Sequence, residues 1–382
     1  SFLVLVLVLE GFVRFSGGSV ITPYYRAHEM LAEETRYQAN RHVEMREEHG
    51  DLLAIDPQLD RALSQPREMV FNTDSRGFRN DADLGDERLL IVGDSFVVGI
   101  GNTQADMLTA QLGRNHGITA YSMGFPAGPF QYANTVAAAR AELGDDACIV
   151  VVMFEGNDFQ PIDPTELAAR KAVPRGAQDF IKAYFGAVKA PFEVSRVFYG
   201  LYTRGMESLR AGVSAPDADA ASAASDVTFV RQVAGEPMVF LKGYAEVVQR
   251  DSYDDFGYIQ EQFTRGRPDL LVFAPEKYRV YGPLLDEHPA AGLPRAQLEH
   301  LARVAAALDV PLLDLTDAML ERSRELLQQG ELTYWRDDTH WNPAGIETAA
   351  RELARELSAH EKPACRGLRT TGLSAMLPDA FL

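Results

Sequence analysis

Cysteine is scarce in this sequence: two residues among 382, Cys148 and Cys365, with no C-x-x-C pair and no Cys/His spacing. That pattern offers no zinc module. Both cysteines are expected as free thiols, with Cys148 in the core because it opens the apolar run "CIVVVMF", and the redox compartment stays open. Positive charge is also short, 37 Lys and Arg against 55 Asp and Glu, a formal net charge of −18. Nucleic acid is therefore not an expected partner, and a polyanionic ligand would be repelled unless a local basic patch offsets the excess. Nor does the apolar run at the start, Phe2 to Leu9, reach membrane-spanning length: it has eight residues, where a bilayer takes about 20. No A-x-A cleavage site follows it. Residues 1–16 are expected as the end of an uncleaved transmembrane or signal anchor whose earlier part is absent; the other reading is a buried strand or helix start. The positive-inside rule needs the upstream flank and does not fix orientation. There is no internal repeat.

What is present is an ordinary globular balance, 46% hydrophobic and 24% charged, enough for one large domain or two modest ones. Residues 17–85 read as a linker with helical segments, because 24–65 are rich in helix formers and charge. From "RLLIVG" onward, strand and helix patterns alternate. The runs "RLLIVG", "ITAYS", "CIVVVMFE", "DLLVFA" and "VPLLDL" are expected as five strands of a parallel sheet covered by helices. The sheet-bearing body is thus split into 86–163 and 266–360. Residues 164–265, too many for a single crossover helix, are an insertion expected to be helical, with a mobile low-complexity loop at "GVSAPDADAASAASD". Residues 361–382 are a tail.

Ligands of parallel α/β sheets bind at the carboxyl ends of the strands, which selects three places. The first strand ends in "GDSFVVG", placing Ser95 at a strand-to-helix turn; the third ends in "FEGNDF", placing Asn157; the fifth leads through a helix to "DDTHW" and His340. A hydroxyl nucleophile, an imidazole base, a carboxylate and donors for an oxyanion are what acyl transfer requires. Gly93 and Gly99 bracket the serine, and Gly124 in "YSMGFPAG" can present a backbone N–H beside that of Ser95. Ser95, Gly124 and Asn157 are the candidate oxyanion donors, with Asp94 and Asp158 as supporting neighbours. Two aspartates compete to orient His340: Asp338 stands two residues before it and Asp337 three. Asn342-Pro343 reads as an N-cap and first helical residue. Lys277, Tyr278 and Tyr281, after the fourth strand, and Trp341 are candidates for substrate contact or for packing.

With these blocks in place the sequence resembles the SGNH (GDSL-like) hydrolase superfamily over roughly residues 71–360, its four signature positions matched by Ser95, Gly124, Asn157 and His340. One block departs: Ser122 stands where the family often has an asparagine, two residues before Gly124. The resemblance implies a three-layer flavodoxin-like fold with a parallel five-stranded sheet and an acyl-serine mechanism. The superfamily's commoner D-x-x-H favours Asp337 and the D-T-H-W form favours Asp338; Asp338 is preferred, with Asp337 pointing to solvent or to the helix start at Pro343. "LVFAPEKYRVYGPLL", "LLDLTDAML" and "DTHWNPAG" resemble the alginate O-acetyltransferase-like branch. That branch implies a carbohydrate or small acyl-ester substrate, a membrane acyl-carrying partner, and a site in the periplasm or outside the cell. No cofactor and no metal are expected, since a second cluster of His, Cys and carboxylates is lacking. The alternative is a non-catalytic SGNH-fold subunit of a membrane complex.

Overall fold

Each of the five apolar runs forms a strand. In this computed structural model the described residues are 31–33, 36–56, 58–159, 225–366 and 368. All but Ser225 belong to one unit, Arg26–Pro161 with Asp226–Leu382. Residues 1–16, 160–224 and most of the tail lie outside the described residues, and with them the expected anchor and mobile loop. Among the described residues no helix is long and apolar enough to cross a membrane.

In chain order the elements are β1 (Leu31–Glu33), β2 (Arg36–Tyr37), β3 (His42–Glu47), α1 (Asp51–Ile55) and β4 (Arg67–Asn72). Next come β5 (Leu89–Gly93), α2 (Ser95–Val98), α3 (Leu108–His116), β6 (Ala120–Gly124), α4 (Pro129–Leu143) and β7 (Cys148–Phe154). After the undescribed stretch come β8 (Thr228–Val233), β9 (Glu236–Leu241), α5 (Lys242–Val248), α6 (Tyr258–Arg265), β10 (Leu270–Ala274) and α7 (Lys277–Tyr281). The last are α8 (Ala296–Leu308), β11 (Leu312–Asp314), α9 (Thr316–Leu327), α10 (Pro343–Ala359) and α11 (Pro363–Arg366).

The central sheet has five parallel strands in the order β11-β10-β7-β5-β6. This is the flavodoxin-like order, and it reverses direction between β5 and β7, where such sheets open a crevice at the strand ends. Strand periodicity divides the core. Leu89, Ile91, Val150, Val152, Leu270 and Val272 join residues of α3 and α10 on one face, while Leu90, Val92, Ile149, Val151, Leu271 and Phe273 join residues of α4, α6 and α8 on the other. Both faces of the sheet are covered, which is why these strands read as unbroken apolar runs rather than alternating ones.

Three sequence expectations are corrected. The stretch read as a helical linker carries antiparallel strands, β3 paired with β4 from His42↔Asn72 to Glu47↔Arg67, and one short helix. The described part of the insertion opens with a hairpin, β8 with β9, before its helices begin. Its turn residues Ala234 and Gly235 take φ of +52° and +77°, the conformation a two-residue hairpin turn demands, and both N–H groups donate to Asp286 at 2.8 and 2.7 Å. Leu52 and Leu53 of α1 pack with Val239 of this hairpin, so two segments flanking the sheet support each other. Finally, Cys148 and Cys365 are not free thiols but form a disulfide. The amino end of β7 lies where α11 returns to the sheet, a contact between residues 217 apart in sequence.

Candidate active site

Ser95 stands where β5 turns into α2. Asp94 caps the helix by accepting the Phe96 N–H at 2.9 Å, and Gly99, with φ of +72°, closes it. The end of β6 lies directly against this turn: a Cβ on Gly124 would stand 2.6 Å from the Val98 nitrogen and 2.9 Å from Val97. Glycine is therefore required there by space rather than by backbone angle. The acceptor of the Gly124 N–H is the Ser122 hydroxyl at a long 3.4 Å, a contact that an oxyanion can displace. Ser122, the departure from the family pattern, is itself held by Asn80, which receives its N–H at 2.9 Å and donates to its carbonyl at 3.0 Å. Buried Arg79 fixes the loop after α2 by donating to the carbonyls of Val98, Gly99 and Asn102 at 2.8–3.0 Å.

The histidine loop folds back on itself. Tyr334 bridges Trp341 in antiparallel fashion, the Trp335 N–H donates to the His340 carbonyl at 3.2 Å, and Asn342 caps α10 by accepting from Ala344 and Gly345. This brings His340 Nε2 to 2.7 Å from Ser95 Oγ and His340 Nδ1 to 2.7 Å from Asp338 Oδ1. Asp338 also accepts the His340 backbone N–H at 3.0 Å. His340 and Asp338 are buried, whereas Ser95 and Asn157 are half-buried and reachable from outside. Burial alone would lower the imidazole pKa. The charge and hydrogen bond of Asp338, with the charges of Asp51 and Asp94, outweigh it and hold the pKa above its ordinary value.

Asp337 is engaged with other partners. It does not point to solvent or to Pro343, but is fully buried, accepting from the Gly50 and Gln65 N–H groups at 2.7 and 2.9 Å and from Arg67 at 3.1 Å. Arg67 spans both aspartates, its second nitrogen lying 2.6 Å from Asp338 Oδ2, and it stacks over Trp335 at 4.5 Å. Gly50 cannot carry a side chain, because a Cβ would meet the Asp337 carbonyl at 2.2 Å. Asp51 accepts the Thr339 N–H at 2.8 Å and also the Thr339 hydroxyl, and its Oδ2 lies 3.8 Å from His340 Nδ1. None of Gly50, Asp51, Gln65 and Arg67 was singled out from the sequence. No motif marks them, and they meet the histidine loop from about 270–290 residues away.

Asn157 donates its amide to Asp94 Oδ2 at 3.0 Å. One amide N–H is thereby fixed and the second left over. Asp94 thus supports both the serine helix and Asn157; burial raises its pKa against those hydrogen bonds. Asp158 is one step behind, accepting from the Phe154 N–H at 2.7 Å and the Tyr132 hydroxyl at 3.0 Å, with burial and then the Asp94 charge holding its carboxyl well above the ordinary value.

Three residues considered for substrate contact are in the interior. Lys277, 1% exposed, donates to the carbonyls of Val239, Arg336 and Asp338 at 2.7–3.0 Å, and burial draws its pKa down to about 7. Its role is to tie the histidine loop to the hairpin. Tyr281, 0% exposed, bonds Thr333, and Trp341, also 0% exposed, packs edge-on against Phe96. The Lys277 ammonium, the Tyr281 hydroxyl and the Trp341 ring are taken up by the core.

Asp51, Asp338 and His340 offer ligand atoms within 4.8 Å of one another, the arrangement closest to a metal site near the serine. Their occupied partners favour a proton over a cation: Arg67 already neutralises Asp338, and Thr339 donates twice to Asp51.

The arrangement holds the groups that acyl transfer requires. Residues 257–375 match the family model of the SGNH hydrolase-like domain of the acetyltransferase AlgX. That stretch holds β10, β11 and the histidine loop, while Ser95, Gly124 and Asn157 lie outside it and join it through the sheet. No curated protein matches. Among the solved structures that match is a crystal structure aligned over 72% of this chain and 97% of its own, at 18% identity and a TM-score of 0.30.

Proposed function

We propose that the chain is a serine-dependent carboxylic ester hydrolase or O-acyltransferase acting on acyl esters, acetyl above all, of a carbohydrate. The observation that carries the reading is the unbroken series from Ser95 Oγ through both His340 nitrogens to Asp338, 2.7 Å at each contact.

Ser95 Oγ attacks the ester carbonyl carbon while His340 Nε2 takes its proton, and Asp338 keeps the other proton on Nδ1 and faces the imidazolium charge. The oxyanion is received by the N–H groups of Ser95 and Gly124 and by the second amide hydrogen of Asn157. His340 then returns its proton to the departing alcohol oxygen, leaving an acyl-serine. Water or a sugar hydroxyl, deprotonated by the same imidazole, completes the cycle by attacking that acyl group. The acetyl and carbohydrate preference is supported by the match to an acetyltransferase domain. An oxidising compartment, periplasmic or extracellular, is supported by the Cys148–Cys365 disulfide. A membrane tether and an acyl-carrying membrane partner are part of the same proposal, supported by the resemblance to the alginate O-acetyltransferase-like branch.

A fluorophosphonate should add to Ser95 in the wild type and not in Ser95→Ala, with aryl acetate turnover lost in parallel. Folded protein that neither labels at Ser95 nor turns over aryl esters would instead be an SGNH-fold interaction module.

A further inference from the structure

The carboxylate of Asp51 sits on the same side of His340 as Asp338, yet it belongs to α1, ahead of the whole catalytic sheet. We propose that Asp51 is a positioning residue for the catalytic base, a second carboxylate that stabilises the imidazolium and anchors the residue between the two, Thr339. The inference rests on the acyl-serine reading for its functional meaning, but not for its test.

The geometry is specific. Asp51 Oδ1 accepts the Thr339 N–H at 2.8 Å and Oδ2 takes the Thr339 hydroxyl. The Asp51 N–H lies 3.4 Å from Asp338 Oδ2, so the backbone of Asp51 touches one carboxylate while its side chain forms the other. Oδ2 is 3.8 Å from His340 Nδ1, against 2.7 Å for Asp338 Oδ1. Nδ1 therefore has the Asp338 carboxylate as its near partner, the Thr339 hydroxyl at 3.3 Å, and the Asp51 carboxylate at 3.8 Å as a second negative charge. At such separation in a buried site a unit charge acts strongly on an imidazolium. Charged groups from other elements also face this region: Asp94 from the β5–α2 turn adds a negative charge, while Arg67 from β4 and Lys277 from α7 act through Asp338, on its carboxylate and its carbonyl. Phe96 and Trp341 enclose the site with rings. Arg67 pairs with both Asp338 and Asp337, while Asp51 binds the Thr339 N–H and hydroxyl.

The test reads His340 itself. In an NMR titration of the imidazole C–H signals, assigned with His340→Gln, Asp51→Asn should move the His340 midpoint to lower pH by about one pH unit, the size of effect expected for removing one opposite charge at this range. Thr339→Val, which removes the hydroxyl contact and keeps the charge, should move it little. On an aryl acetate, the acid limb of kcat/KM should shift with the NMR midpoint in Asp51→Asn. An unmoved NMR midpoint in folded Asp51→Asn overturns the inference. A midpoint that moves in a protein with no turnover leaves Asp51 coupled to His340 and rejects the enzymatic reading instead. Should Asp51→Asn not fold, Asp51→Ser decides by the same readout: a midpoint lowered by about one pH unit supports the charge effect, and an unmoved midpoint refutes it.

Discussion

At the scale of single residues, two adjacent and fully buried aspartates share Arg67 yet do different work, because Asp338 bonds the imidazole and Asp337 bonds the backbone of Gly50 and Gln65. Asp338 meets the imidazole, so Asp338→Asn should leave the fold intact on circular dichroism and lower aryl acetate turnover by up to about four orders of magnitude, as when a histidine base loses its correct tautomer. Asp337 accepts two backbone N–H groups and pairs with Arg67. Asp337→Asn should appear first in thermal unfolding, with a loss of about 3–5 kcal/mol as one member of a buried pair is removed, while protein that remains folded keeps most of its turnover. The opposite pattern, a stable but dead Asp337→Asn, would reverse the two assignments. The base also sets a pH dependence. His340 must be neutral to accept the serine proton, and its folded pKa is raised, so kcat/KM should rise with pH through a midpoint above about 6.5, the ordinary imidazole value. The linked stability has the opposite sign: the protonated His340–Asp338 pair stabilises the fold fully below the unfolded pKa, and that contribution is lost as pH rises through the folded one.

At the scale of elements, the decisive contact is between the end of β6 and α2. Gly124→Ala would place a methyl 2.6 Å from the Val98 nitrogen, and the backbone must separate to admit it. A stability loss of about 1–3 kcal/mol is expected. Turnover should fall by more than that loss explains, since the Gly124 N–H and the Ser95 turn shift apart. Thermal midpoints and kcat measured on one preparation separate the two effects. The strands β3 and β4 matter for a different reason. They deliver Arg67 to the aspartates and, through the loop between them, Gly50, Asp51 and Gln65. What reads as a spacer along the chain is a wall of the site.

At the scale of the molecule, the disulfide ties the amino end of the central strand to α11, and Lys362 adds an ion pair to Asp269 at 2.8 Å beside it. This is the end of β7 opposite Asn157. Closing a loop of 217 residues restricts the unfolded chain strongly, so Cys365→Ser or reduction should lower stability by about 2–5 kcal/mol. The kinetic constants well below the melting temperature should not change. A loss of turnover at full stability would mean that the two ends of the sheet are coupled.

The five sheet strands and the serine, asparagine and histidine blocks were legible along the chain because each is a local signal. A strand buried on both faces must be apolar throughout, and a nucleophile between strand and helix needs glycine and a capping aspartate beside it. The β8–β9 turn was also legible in principle, as Ala-Gly between two strand-like runs. Residues 36–72 were not, since their helix-forming composition is overridden by pairing and burial that no local window contains. The same holds for the choice between Asp337 and Asp338, for the burial of Lys277, Tyr281 and Trp341, and for Asp51. Orientation, exposure and proximity are set by partners 38 to 288 residues away, and only the folded chain brings them within reach.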